Sequence, residues 1–332
     1  RHLARIAATG LFARMLYRPL VALASLALVS LLVLPGLAAA QGQVPLPGLG
    51  SGRAPLGQGP GKAQGKGQDP DTGAGQGLGF LDSSPDHLRR YRECMALARA
   101  EPWKALPPAE RWHQQGGGLA ARHCVATAMF NAGRFAQAAI QFESIARDMG
   151  RERPGLRAEL WAQAGQAFVE AGAIEKAVEA QSRALELKSD DADLWLDRGI
   201  SFGLLRAWPR AISDFDRALA LRRDDIEILV LRAAAWRHAG NPAKALDDAS
   251  RALKVAPGHS EALLERGFAY LARGDRSSAN LDFSSVLRLV PPGSSAARSA
   301  EMGLRGEVPA APTAVDKPPP AATPNAPPTG KK

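Results

Sequence analysis

The chain has 332 residues, 45% of them hydrophobic, and a formal charge of +9 from 42 basic and 33 acidic residues. That length and apolar fraction allow one long domain or two short ones. The basic surplus sits largely at the N-terminus. Removing residues 1–40 takes away four basic residues and no acidic one, leaving 38 against 33, a net +5. The charge therefore counts for little as a nucleic-acid footprint.

The first 68 residues contain no Asp or Glu. Arg1, Arg5, Arg14 and Arg18 precede an apolar run from about Leu20 to Leu34, followed by Pro35-Gly36 and Ala38-Ala39-Ala40. A basic start, a short apolar core and an A-x-A site describe a secretory signal peptide over 1–40. The expectation is an exported protein, periplasmic if bacterial, with no stable membrane span after cleavage. The alternative is a chain anchored by an uncleaved N-terminal segment, but the run falls short of the roughly 18 unbroken apolar residues of a span. A mitochondrial presequence would lack so strong a central apolar run. Met15 would open a more usual signal by itself, which leaves the translation of 1–14 open.

Residues 41–84 are mostly Gly, Gln and Pro, a composition too poor in apolar side chains to offset ordering entropy, and read as a disordered linker. A helix is predicted from Ser84-Pro85-Asp86 to about Ala100, then a shorter helical piece around Pro108–Gln115. Residues 119–149 form a loose repeat, in which Ala126, Gly133, Ala138, Phe142 and Ala146 keep a column spacing seen again downstream. Residues 85–157 thus read as a helical pair and a degenerate repeat.

Residues 158–293 carry the strongest signal. A shift of 34 positions aligns Gly165, Gly199, Ala233 and Gly267, and three residues later Phe168, Phe202, Trp236 and Tyr270. Trp161, Trp195, Leu229 and Leu263 form another column, as do Ala177, Ala211, Ala245 and Ala279. The copies are 158–191, 192–225, 226–259 and 260–293. A fixed period of this length means a stack of like supersecondary units. Gly172, Gly240 and Gly274 fall where a first helix would end in a left-handed residue, whereas Arg206 replaces glycine in the second copy and predicts a strained or differently closed turn. Pro257 and Pro291 should stop second helices. Residues 294–305 read as a capping helix and 306–332, rich in Pro and Ala, as a disordered tail.

These columns resemble the tetratricopeptide repeat, a 34-residue helix–turn–helix, in the manner of exported bacterial members of that family. Residues 192–225 match through Trp195, Gly199, Phe202, Ala211, Phe215 and Ala218, and 260–293 through Leu263, Gly267, Tyr270, Ala279, Phe283 and Pro291. The copies at 158–191 and 226–259 depart at Gln181 and Ser189 and at Ala249. The resemblance implies an all-α, right-handed α-solenoid. It also implies a concave surface lined by first helices, on which Ala162, Gln166, Leu196, Ile200, Val230, Ala234, Leu264 and Phe268 would point to a guest. Arg237 and His238 would be polar contacts at its edge. The face is mostly apolar and lacks the Lys, Arg and Asn with which family members grip a C-terminal carboxylate. The implied partner is a protein or peptide with an apolar or basic segment. The implied role is that of a non-enzymatic envelope adaptor or assembly factor, or a scaffold recruiting envelope enzymes.

Three further patterns bear on stability. Arg198, Arg232 and Arg266 share a column, as do Asp214, Asp248 and Asp282 sixteen positions on, and in the first copy both positions are alanine, Ala164 and Ala180. Residues present or absent together predict an Arg–Asp contact, between the two helices of a hairpin or between neighbouring hairpins, with coinciding solvated charges as the alternative. Glu159, Asp193, Glu227 and Glu261 form an acidic column, expected at the first turn of each first helix, where a carboxylate suits the helix dipole. It would also serve as an acidic rail for a basic segment. Cys94 and Cys124, an even pair in an exported chain, suggest a disulfide worth roughly 3 kcal/mol. Two buried thiols are the alternative. No nucleotide-binding, hydrolase or metalloprotease motif occurs, no metal-ligand spacing fits, and no cofactor is expected.

Overall fold

The computed structural model describes residues 84–310. The expected signal peptide, most of the linker and most of the C-terminal tail lie outside them. Thirteen helices and no strand occur among the described residues. The first four are α1 (Pro85–Ala100), α2 (Pro102–Gln114), α3 (Gly118–Asn131) and α4 (Phe135–Asp148). The regular block holds α5 (Pro154–Glu170), α6 (Ile174–Leu187), α7 (Ala192–Leu204), α8 (Trp208–Leu221), α9 (Ile226–His238), α10 (Pro242–Val255), α11 (Ser260–Ala272) and α12 (Arg276–Leu289). A last helix, α13 (Ser295–Leu304), is capped by Ser294 and packs on α11 and α12.

In three of the four regular hairpins a glycine of the first helix faces a larger residue of the second. A Cβ at Gly199 would stand 2.6 Å from the Phe215 ring, and one at Gly267 2.6 Å from the Phe283 ring. Both rings are fully buried, so glycine sets how closely the paired helices approach. In the first copy Gly165 faces Gln181, whose amide oxygen is buried without a hydrogen-bond partner. The third copy sets Ala233 against Ala249, both buried.

Helix ends repeat with the same period. Asp191, Asp225 and His259 cap α7, α9 and α11, accepting from the amides of Asp193, Ile228 and Ala262. Such a cap is worth about 1 kcal/mol. The first helices end in a left-handed turn at Gly172, Gly240 and Gly274. Arg206 adopts the same turn with φ of 57°, closed by Arg206 N to Gly203 O at 2.9 Å and Ala207 N to Phe202 O at 2.8 Å. The turn is strained and not differently closed.

Two stretches differ from expectation. Helix α2 begins at Pro102 and runs through Pro107 and Pro108, six residues earlier than the short piece predicted. Pro102 occupies the first turn, where no amide donor is needed, and the inner prolines lie on the exposed side, where the carbonyls they leave unpaired can meet water. Packing of Ala105, Leu106, Ala109 and Trp112 carries the helix past them. Helix α5 starts at Pro154, so Glu159 lies beyond its first turn, while Asp193, Glu227 and Glu261 do lie in theirs.

Candidate functional site

The residues expected to line a groove are built into the stack. Leu196, Ile200, Val230, Ala234, Leu264 and Phe268 are all 6% exposed or less and belong to one continuous apolar core. They present little surface to a guest. Of the same set only Gln166 is exposed, with Ala162 intermediate.

Arg237 is likewise engaged within the chain. Its Nε and Nη2 donate to Glu265 Oε2 and Oε1 at 2.8 and 3.2 Å, joining α9 to α11. The side chains are 8% and 6% exposed, and the guanidinium lies 5.4 Å from the Phe268 ring centre. His238 stacks on Trp208 with ring centres 4.8 Å apart. Burial, and then the charges of Arg237 and Arg206, push its pKa down to about 3. It stands as a neutral ring between two repeats.

The Arg and Asp columns do meet, within each hairpin. Arg198 donates through Nε and Nη2 to Asp214 at 2.8 and 2.9 Å, and Nη1 reaches Ser182 Oγ on the preceding second helix at 3.1 Å. Arg232 grips Asp248 at 2.8 and 2.6 Å and sends Nη1 to Asp216 at 2.6 Å. Arg266 grips Asp282 at 2.8 and 2.6 Å. The bidentate fork fixes both distance and orientation. Hydrogen bonding to its partner raises the Arg266 pKa, and burial opposes it.

The N-terminal helices are held differently. Cys94 of α1 and Cys124 of α3 form a disulfide. Beside it Tyr91 and His123 approach at 2.6 Å between hydroxyl and Nδ1, and His123 Nε2 lies 2.9 Å from Gln163 Oε1 on α5. Burial pushes the tyrosine pKa up to about 12 and lowers that of the histidine. Tyr91 therefore donates to a neutral ring, whose other nitrogen donates to Gln163. This chain ties α1, α3 and α5 together.

The acidic column remains at the surface. Asp193 is exposed and accepts from Arg222 at 2.8 Å, Glu227 is half-buried, and Glu261 accepts from Ser260 Oγ at 2.7 Å. No cluster of three or more metal-ligating side chains occurs among the described residues, and no described helix is long and apolar enough to cross a membrane.

These hairpins, with a small residue at each helix crossing and a 34-residue period, define an α-solenoid of the tetratricopeptide type. The C-terminal part of a TPR repeat-containing protein from Cytophaga hutchinsonii aligns with a TM-score of 0.53 at 14% identity, over 61% of this chain and 80% of that one. YrrB, described as a TPR protein with an unusual peptide-binding site, aligns with a TM-score of 0.47 at 17% identity, over 58% and 96%. MamA from Desulfovibrio magneticus aligns with a TM-score of 0.44 at 17% identity, over 61% and 95%. No family model and no curated protein matches the sequence.

Proposed function

We propose that this chain is a non-enzymatic protein-binding module that holds a basic segment of a partner along its first helices, as an adaptor or assembly factor of the cell envelope. One observation carries the reading: Asp193, Glu227 and Glu261 recur at the first turns of α7, α9 and α11 in the register of the repeat. The aliphatic positions of the same helices are buried, so charge is what these turns offer a partner. Carboxylates spaced by a rigid stack complement a segment with recurring Lys or Arg, and such complementarity sets orientation and encounter rate.

The test uses the full chain against arrays of basic, apolar and acidic peptides at two salt concentrations. Basic peptides should be retained, less so at high salt, and lost when Asp193→Asn, Glu227→Gln and Glu261→Gln are combined. Equal retention of acidic peptides, or unchanged retention by the triple variant, would sink the reading.

A further inference from the structure

The first regular repeat lacks the ion pair of the other three, and a cleft opens where that pair would lie. In the second copy the Arg198 guanidinium sits 5.1 Å from the Trp195 ring centre and 5.6 Å from that of Phe202, with Asp214 and Ser182 accepting its protons. One repeat earlier the two rings are Trp161 and Phe168 and the aspartate position is Ala180. The residue matching Ser182 and Asp216 is Glu143, because residues 150–154 place α4 39 positions before α6 whereas α6 and α8 are 34 apart. Trp161, Phe168, Ala180 and Glu143 all line a single open cleft of about 610 Å³ between α4 and α6. The arginine itself is replaced by Ala164.

The walls keep two rings and one carboxylate of a guanidinium site, without the bidentate aspartate and without the arginine of the first helix. Two rings offer π faces, and Glu143 stands in the register from which Asp216 takes the Nη1 proton of Arg232. Nearby cations already gather there. Arg147 lies 5.9 Å from the Trp161 centre and pairs with Glu143 at 2.5 Å, and Lys176 lies 5.8 Å from that of Phe168. Arg147 is 68% exposed and held by an i,i+4 pair, a type worth about 0.3–0.5 kcal/mol, so it is a weak competitor.

We propose that this cleft binds an arginine side chain of a partner protein, received in trans into the slot that Arg198, Arg232 and Arg266 fill in cis. The proposal rests on the protein-binding reading above and supplies its specificity. The planar fork suits Glu143 and stacks on the rings, whereas lysine offers a point charge and no plane. Ala180 and Val178 on the cleft wall offer apolar contact to the methylene stem.

The experiment titrates the full chain with N-acetyl-arginine amide, with the lysine analogue, and with the uncharged citrulline analogue, following the six tryptophan indole signals by NMR. Trp161, assigned through Trp161→Phe, should respond saturably to the arginine compound, at least fivefold more weakly to lysine, and not to citrulline. Glu143→Gln should weaken binding about tenfold and Arg147→Ala should tighten it. Ala164→Arg with Ala180→Asp, which rebuilds the pair in cis, should abolish it. If that double variant does not fold, Glu143→Gln decides. A silent Trp161, an equal response to citrulline, or unchanged affinity in the rebuilt or Glu143→Gln variant overturns the assignment. Array peptides that bind the chain equally well with and without these changes would overturn the cleft alone and leave the binding-module reading standing.

Discussion

Removing the Asp214 carboxylate while leaving Arg198 in place measures what the recurring ion pair contributes. The Arg198 side chain is 19% exposed and Asp214 5%, so Asp214→Ala strands a largely buried cation with only Ser182 Oγ as acceptor. Stranding one partner of a buried pair costs about 3–5 kcal/mol, and the residual exposure places this case near about 3. For a unit of this size that lowers Tm by roughly 6–12 °C. Asp248→Ala should cost less, because Arg232 keeps Asp216. Asp282→Ala should also cost less, because Arg266 is 28% exposed and can turn to water. The double variant Arg198→Ala with Asp214→Ala recreates the first copy, where Ala164 and Ala180 are both buried, and should lose only about 1 kcal/mol. Urea is the denaturant of choice, since guanidinium salt screens the interaction under test. Hydrogen exchange within α7 and α8 localises the effect if the array does not unfold as one unit. A double variant as unstable as Asp214→Ala would show that lost packing, and not an orphaned charge, sets the cost.

Other consequences follow from single sites. Gln181→Met removes a buried amide oxygen with no partner while keeping side-chain length beside Gly165, and should raise the urea midpoint by the equivalent of about 1–2 kcal/mol; a lower midpoint would mean that the oxygen is satisfied in solution. Arg206→Gly relieves a left-handed non-glycine residue and should stabilise by about 1 kcal/mol, and a loss would refute the strain. His123 and His238 are neutral in the fold, with pKa values below that of the unfolded chain, so below pH 6.5 the unfolded state binds more protons. Stability is then complete above pH 6.5 and falls as pH drops, by about 1.4 kcal/mol per pH unit for each histidine. For His238 the window extends to about pH 3, and His238→Phe, which keeps the stack on Trp208, should flatten that slope in melts across the range.

Contacts inside one hairpin were legible because they recur at a fixed offset. The sixteen-residue spacing of Arg198 and Asp214, of Arg232 and Asp248, and of Arg266 and Asp282 is visible as two parallel columns and becomes three bidentate pairs. The glycine turns were legible for the same reason, and the Cys94–Cys124 bridge for another, the even count of cysteines in a chain expected to be exported. Contacts between hairpins were not. Arg237 and Glu265 lie in different columns; the Arg237 column holds no other charge and the Glu265 column repeats an acid only at Asp197, whose repeat has Gly203 in the arginine's column, so nothing in the spacing pairs them. The burial of Leu196, Val230 and Leu264 was missed because an apolar column reads alike whether it lines a groove or fills a seam between first helices. Which of these holds depends on how closely successive hairpins approach, and that is set by small residues elsewhere in the unit. The prolines of α2 concealed its first turns for a related reason, since local propensity there is overridden by Leu106 and Trp112 in the core.

Two modes of stabilisation meet at the junction of α4 with α6, and their difference explains why the cleft lies there. From α7 onward each hairpin carries an Arg–Asp clamp, two of which also bond the preceding second helix through Ser182 and Asp216. Before α5 the helices are braced by the disulfide and by the buried Tyr91–His123–Gln163 chain. The first regular hairpin has no Arg–Asp clamp and no covalent tie; Arg157 reaches back only to the Ala146 carbonyl at 3.4 Å, and the hairpin closes through Ala164, Gly165 and Ala180. Small side chains bring α5 and α6 together, and the outer edge of the seam, between Glu143 and Lys176, holds the open cleft, spanned only by the exposed Arg147. A repeat protein that carries the clamp in three copies and Ala164 with Ala180 in a fourth keeps, at that one position, two rings and Glu143 for a partner's arginine, apart from the clamps that hold the stack.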